Sequence, residues 1–327
     1  MFALVDIAWW HWVGFLACVV LFLTLDLGLF HRRARVVKVG EALGWTALWA
    51  GLAVLFGLAL GAMRGQKESL EFYTACLIEF ALSMDNVFVI ALIFNWFRVP
   101  SVLQHRVLFW GALGALVMRG LMIALGAALI ALLHWMLYLI GAFVLFTGIK
   151  MMFAPTRVDP EKNRVVLFAR RLYPVTPGFE GQKFVTRWQG RLALTPLALV
   201  LLTIETTDLI FALDSVPAVF AVTTKPFIVF TSNVLAILAL RSLYFVLAGA
   251  IGYFRYLKSG LSVVLVFIGA KMLLDPHDLP PRGIQIEIPT TVSLLVIAGI
   301  ILLSILSSIL AAYREKSRRG TGNVSPI

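Results

Sequence analysis

The stretch Ile78-Glu79-Phe80-Ala81-Leu82-Ser83-Met84-Asp85-Asn86-Val87 decides how the chain is read, because its pattern returns as Thr207-Asp208-Leu209-Ile210-Phe211-Ala212-Leu213-Asp214-Ser215-Val216. Each copy is an acid, five residues, a second acid, then a small polar residue and Val. Both copies lie inside apolar runs long enough to cross a bilayer, where a carboxylate near the centre costs about 2.5 to 3.5 kcal/mol on insertion scales. Glu205, just upstream of the second copy, brings the number of such acids to five. That cost calls for a compensating function, and a bound cation supplies one.

Working outward, hydrophobic residues make up 61% of the chain and its mean hydropathy is +0.93, well beyond a soluble domain. Apolar blocks of about twenty residues recur, the length a helix needs to span a hydrocarbon core about 30 Å thick. The fold class is therefore an all-α polytopic membrane protein. About nine spans can be read, near 8–30, 43–63, 70–96, 106–130, 134–153, 194–222, 226–251, 258–275 and 289–312, the fourth and fifth divided near His134. The N-terminus lacks the basic flank of a cleaved signal, so the first span is expected to remain as a membrane helix.

The net charge of +11 suggests nucleic acid at first sight, but the basic residues cluster in alternate connections between spans. Arg32, Arg33, Arg35, Lys38, Arg98, Arg106, Arg255, Lys258, the long connection and the tail carry most of them, against Arg64, Lys67, Lys225 and Arg282 on the other side. By the positive-inside rule the N-terminus is outside and the C-terminus cytoplasmic. No nucleic-acid partner is expected; the partners are the bilayer and a metal ion, with a homo-oligomer or other membrane proteins left open. Cys18 and Cys76 provide neither a disulfide frame nor a CxxC site, and the scattered histidines show no metal spacing.

The repeat extends beyond the acidic motif. Arg119 in span four is matched by Arg241 in span seven, and Gly148-Ile149-Lys150-Met151 closing span five is matched by Gly269-Ala270-Lys271-Met272 closing span eight. Three spans per copy is an odd number, so the second copy enters the membrane inverted: a 3+3 inverted repeat over spans 3–5 and 6–8, about 70–153 and about 194–275. Secondary transporters built this way hold their substrate near the midplane between the halves. Residues 1–312 thus form one transmembrane domain, interrupted by a cytoplasmic connection at about 154–193 in which Gln189-Gly190 marks a hairpin turn. Residues 313–327 form a basic tail expected to be disordered.

On a straight helix Glu79 and Asn86 differ by only about 20° while Asp85 points about 120° away from Glu79, and Asp208, Ser215 and Asp214 repeat this arrangement. Two solutions remain open. Either the helix opens locally, as Pro217 would favour by removing a backbone donor, or one acid of each copy binds the substrate while the other pairs with a cation. Arg119 and Arg241 are the counter-charges, and five acids against two arginines leave negative charge in excess. The metal-site candidates are Glu79, Asp85, Asn86, Glu205, Asp208, Asp214 and Ser215, with Asp26, Ser83, Thr207, Lys150 and Lys271 as accessory positions and Pro217 as a helix break. Such hard oxygen ligands suit Mn²⁺, Mg²⁺ or Ca²⁺. Lys150 and Lys271, near span ends, are read as snorkelling to the interface. Buried acid–arginine pairs also hold helices together, but that role explains neither the duplication nor the excess charge.

At these residues the chain resembles the TerC family, and within it the Alx-type branch. The matching features are Glu79 to Val89, Gln104-His105-Arg106-Val107-Leu108-Phe109-Trp110-Gly111 leading to Arg119, Glu205 to Ala218, Thr231-Ser232-Asn233, and the Gly-x-Lys-Met endings. The resemblance implies a bacterial inner-membrane protein of the LysE-like transporter group, with Mn²⁺ export as the activity of Alx-type members. It carries Glu79, Asp85, Glu205, Asp208 and Asp214 over as metal-handling acids, with Asn86 and Ser215 beside them.

The expectation is a secondary transporter exporting a divalent metal, Mn²⁺ first, in exchange for protons, with no resident cofactor and no enzymatic activity. No Walker motif, HExxH or nucleophile elbow is present. The rivals are a tellurite or other oxyanion transporter, and a non-transporting scaffold that delivers metal to membrane proteins.

Overall fold

The computed structural model describes residues 8–25, 39–133, 135–153, 163–247, 256–274 and 288–321, with the side chains of Leu25, Val39, Arg241 and 313–321 left undescribed. Asp26, Arg282 and His134, and the side chain of Arg241, therefore lie outside the described set. The described residues form ten helices and one hairpin: α1 (Trp9–Leu25), α2 (Val39–Arg64), α3 (Gln66–Trp96), α4 (Ser101–Leu132), α5 (Met136–Phe153), α6 (Arg164–Leu172), β1 (Val185–Trp188), β2 (Arg191–Leu194), α7 (Pro196–Phe220), α8 (Pro226–Leu247), α9 (Leu257–Leu274) and α10 (Thr290–Thr321). Among the described residues seven helices are long and apolar enough to cross a membrane, and Trp9–Thr24 and Pro226–Leu240 are shorter apolar stretches.

Local chemistry sets the joints. Gly65, at φ 98°, lets α2 turn directly into α3, a backbone angle that side chains resist. Gln189 and Gly190 both have positive φ, 50° and 78°, the requirement of a type I′ turn. They join β1 and β2 with Trp188 opposite Arg191 and Val185 opposite Leu194. The helix α6 was not anticipated: its nine residues are too few for a periodic signal to stand out. Asn163 caps it, accepting from the Val165 and Val166 amides, which satisfies two of the donors a helix start leaves open.

Two expectations are corrected. Pro217 does not break α7, which continues to Phe220. The proline sits in the last turn, where its carbonyl accepts from the Ala221 amide, so losing one donor near a helix end opens nothing. The tail is also less irregular than expected, since α10 runs to Thr321. Arg, Glu and Lys after Tyr313 are good helix formers, and Gly320 comes only at the end.

The helix α3 is the centre of the bundle and packs on α2, α7, α8 and α10. Phe72, Ala75, Ile78 and Ala81 are almost wholly enclosed. The peripheral helices instead expose apolar rows, such as Val117, Leu121 and Leu125 on α4 and Leu295, Leu302 and Leu306 on α10. Contiguous exposed apolar surface of this extent belongs against lipid.

Contacts between the segments carrying the two motif copies come in matched sets: α3 with α8 and α4 with α7, α5 with α7 and α3 with α9, and the like pairs α3 with α7, α4 with α8 and α5 with α9. The last is the tightest. A Cβ at Gly148 would lie 2.7 Å from the Val266 amide nitrogen, and one at Gly269 would collide with the backbone of Leu145. Each glycine thus meets the residue three places before its counterpart. Small residues let membrane helices approach until backbone touches backbone, where dispersion replaces the hydrophobic effect. Replacing Gly148 or Gly269 by Leu should lower the thermal midpoint of the detergent-purified protein, since overpacking costs about 1–3 kcal/mol. Gly51→Ala, with no atom within 4 Å of the added carbon, should leave it unchanged.

Candidate functional site

The acids of the two motifs sort into two places. The first acid of each copy is held by one arginine. Arg119 of α4, 2% exposed, donates from Nη1 to Glu79 Oε2 at 2.6 Å and from Nη2 to Asp208 Oδ1 at 3.3 Å. Its Nη1 also donates to Asn233 Oδ1 at 3.0 Å, and Asn86 Nδ2 donates to Asp208 Oδ1 at 3.4 Å. Four helices, α3, α4, α7 and α8, therefore meet at one buried guanidinium, whose planar fork can serve several acceptors at once.

Asn233 was missed as a site residue. Its signal was present as Thr231-Ser232-Asn233, three polar residues in an apolar span, but nothing in the sequence says which helix they face. Asn233 is 1% exposed and anchors itself by donating to the Val229 carbonyl.

The second acid of each copy faces elsewhere. Asp85 and Asp214 both line a cavity of about 910 Å³ between α3, α5, α6, α7 and α9. Neither forms an ion pair among the described residues. Thr147 and Lys150 lie near Asp214, and Lys258 lies near Asp85. Asn86, Thr206, Thr207 and Ser215 add neutral polar groups to the same wall, and Asn163 and Arg164 of α6 form its rim. Exposed Phe146, Ile210 and Leu213 leave the cavity open to the surroundings. A second cavity of about 30 Å³ reaches Asp208 and is walled off from the first by Asn86, Val89, Thr207 and Phe211.

This arrangement answers the question of helix geometry. Both α3 and α7 are continuous, so the angular offset within each motif directs one acid to Arg119 and the other to the cavity. The excess of acid read from the sequence is not found in the cavity. Asp85 and Asp214 share it with Lys150, Arg164 and Lys258, because the ends of α5 and α9 and the unforeseen α6 converge there. Among the described residues no three His, Cys, Asp or Glu side chains group as a metal cage, so the seven candidates do not converge on one point.

Glu205 faces α4, where a Cβ on Gly114 would collide with its carboxylate. Ser83 is enclosed, and the Thr207 hydroxyl donates to the Thr203 carbonyl at 2.7 Å. Lys150 is exposed at the cavity rim. Lys271, by contrast, does not snorkel: it is 5% exposed and its Nζ donates to Ser293 Oγ of α10 at 2.8 Å, since α10 covers that face of α9. Buried oxygens with no hydrogen-bond partner among the described residues include Glu79 Oε1, Asp208 Oδ2 and Ser215 Oγ, acceptors that a small cation or water would satisfy.

The opposite end of α3 carries a network that sequence reading passed over. Arg64 Nε donates to Glu68 Oε2 at 2.5 Å, Lys225 Nζ lies 3.2 Å from both Glu68 Oε1 and Glu71 Oε2, and the Thr223 hydroxyl donates to Glu71 Oε2 at 2.8 Å. Glu71 precedes Asp85 on α3 by about 21 Å of helix. The pairs tie α2 and the turn between α7 and α8 to the start of α3.

The fold and the site together define a mostly helical multi-pass membrane protein with a charge-bearing interior. The family profile described as "Integral membrane protein TerC family" matches residues 64–317, and the chain belongs to that family. It is 50% identical over 301 residues, covering 91% of this chain and 92% of the relative, to "Uncharacterized membrane protein STKORF319" of Myxococcus xanthus. It is 42% identical over 319 residues, 94% of this chain and 97% of the relative, to the Escherichia coli (strain K12) protein named "Putative membrane-bound redox modulator Alx". A membrane protein of Rickettsia felis is 37% identical over 300 residues, 91% of this chain and 97% of its own length. No solved structure matches the chain.

Arg119→Met should destabilise the protein strongly, because removing one member of a buried ionic group leaves its partners uncompensated, a loss of about 3–5 kcal/mol. Combining it with Glu79→Gln and Asp208→Asn should recover much of the loss in thermal unfolding. A destabilisation by Arg119→Met no greater than that of a surface substitution would count against the charge cluster as the structural centre.

Proposed function

We propose that this protein is a secondary transporter of a divalent metal cation, with Mn²⁺ the first candidate, acting in the bacterial inner membrane. The observation that carries the reading is the pairing of Asp85 with Asp214. They occupy the same place in the two motif copies and line one cavity, while the other acid of each copy is engaged by Arg119. A structural ion pair needs only the second arrangement. The first sets two carboxylates with neutral oxygens from Asn86, Thr207 and Ser215 beside an open volume, a donor set suited to hard cations. Lys150 and Lys258 serve as resident counter-charges that an arriving metal displaces, and protons taken up by released carboxylates provide the exchange.

The transport cycle is read as alternating access between the halves of a 3+3 inverted repeat within a nine-span bundle, the N-terminus outside. Supporting it are the matched contacts between the segments around the two motifs and the reciprocal glycines of α5 and α9. The cavity lies at the end bearing Lys150, α6 and Lys258, the cytoplasmic side by charge distribution, while Arg64, Glu68, Glu71 and Lys225 close the other end. Such an arrangement fits export, with loading from inside.

One observation favours a second reading. Lys150, Arg164 and Lys258 on the cavity wall would suit an oxyanion such as tellurite. A scaffold that delivers metal to other membrane proteins is the third reading. Purified protein in liposomes separates all three. The metal reading expects gradient-driven Mn²⁺ flux that falls on the order of tenfold or more in Asp85→Asn and Asp214→Asn, equivalent to about 1.4 kcal/mol per tenfold, with Lys150→Gln tolerated. Tellurite flux lost in Lys150→Gln and Lys258→Gln but kept in the Asp variants would overturn it in favour of the anion, and absence of any flux would leave the scaffold.

A further inference from the structure

A cavity of about 370 Å³ separates α1 from α2 and α8. No residue on its wall also lines the cavity of Asp85 and Asp214. The helix α1 lies close along no described helix and reaches its neighbours through rings instead. Phe15 meets Phe56 at 5.7 Å and Phe227 at 6.2 Å between centroids, and Phe22 meets Trp49 at 5.4 Å. Small residues let membrane helices close on one another, yet Gly14 and Cys18 of α1 line this space, and a Cβ on Gly14 would have nothing within 4 Å.

Shape and lining select the occupant. The wall is apolar except for His11 and Arg64, which lie at one end, where α1 starts and α2 closes. Water needs several polar partners and has none deeper in, while an unfilled apolar space forfeits dispersion contacts on every side. From Trp10 to Phe22 the space follows about 18 Å of helix, comparable with the apolar half of a bilayer core about 30 Å thick. Its volume takes about a dozen water-sized groups at about 30 Å³ each. That is too narrow for a helix about 10 Å across and suits one extended hydrocarbon chain. The polar end is cationic: Arg64, Lys67 and Lys225 stand there against Glu68 and Glu71, three positive charges to two negative among the described residues.

We propose that this cavity binds a phospholipid from the leaflet on the Arg64 side, with one acyl chain lying along α1 between Trp10 and Phe22 and the phosphate beside Arg64. The site does not depend on which ion the cavity of Asp85 and Asp214 takes.

Native mass spectrometry of the full chain released from detergent tests it. After incubation with dipalmitoyl phosphatidylglycerol, the wild type should keep one lipid per chain. Gly14→Phe and Cys18→Phe, which fill the cavity, should lower that adduct about tenfold or more, while Val117→Phe on the lipid-facing row of α4 should keep it. A second measurement leaves the cavity unfilled: in Cys76→Ala protein, phosphatidylglycerol should slow alkylation of the native Cys18 thiol by N-ethylmaleimide several-fold. No retained lipid, adducts unchanged in both filling variants, or an unchanged alkylation rate would overturn the site. Retention of dipalmitoyl glycerol, which lacks the phosphate, equal to that of phosphatidylglycerol would overturn the place given to the phosphate.

Discussion

One guanidinium holds the interior together. Arg119 reaches Glu79 on α3, Asp208 on α7 and Asn233 on α8 from its own place on α4, so the four helices that form the middle of the bundle are cross-linked by charge at a point almost closed to solvent. Ionised groups in such a place are tolerated only if every one has a partner. The geometry of the rest follows from this requirement. Once Glu79 and Asp208 are fixed on Arg119, the helical offset within each motif fixes the direction of Asp85 and Asp214, and both end on the wall of the same cavity.

That division separates two tasks that a single cluster of acids would confuse. The Arg119 group is buried, with one guanidinium shared by two carboxylates, which makes it a good structural anchor. The cavity group is half-buried and open, with Lys258 near Asp85 and Lys150 near Asp214. Asn86 links them, next to Asp85 in the chain and hydrogen-bonded to Asp208. It also forms part of the wall between the small inner cavity and the large outer one.

The helix pair α5 and α9 works by a different force. Among the described residues no ion pair joins them; Gly148 and Gly269 allow each backbone to meet the other directly. In lipid, where burying apolar surface gains little, such close packing is a principal source of helix association. The lysines that follow these glycines in the repeat take different surroundings. Lys150 stays on the cavity rim, whereas Lys271 is covered by α10 and bonded to Ser293. Equivalent sequence positions thus acquire different roles because one face of the bundle has an extra helix and the other does not.

What the sequence determined by itself was everything that depends on composition along one helix. The apolar runs, the break near 134, the hairpin at Gln189-Gly190 and the presence of acids in membrane helices are set by hydropathy, turn chemistry and length, all local quantities. It also limited the acids of each motif to two directions, since 3.6 residues per turn allows no other outcome for an unbroken helix. What only the tertiary structure decided was which direction meets a cation and which meets open volume. Asn233, Arg164 and the Glu68–Glu71–Lys225 network came into the account for that reason: each depends on a neighbour far away in the chain. Pro217 was misread as a break because its effect depends on its distance from the end of α7, which only the folded chain fixes. A helix carries its angular pattern in its own sequence, but the partner facing each angle is set by packing, and packing is a property of all the helices together.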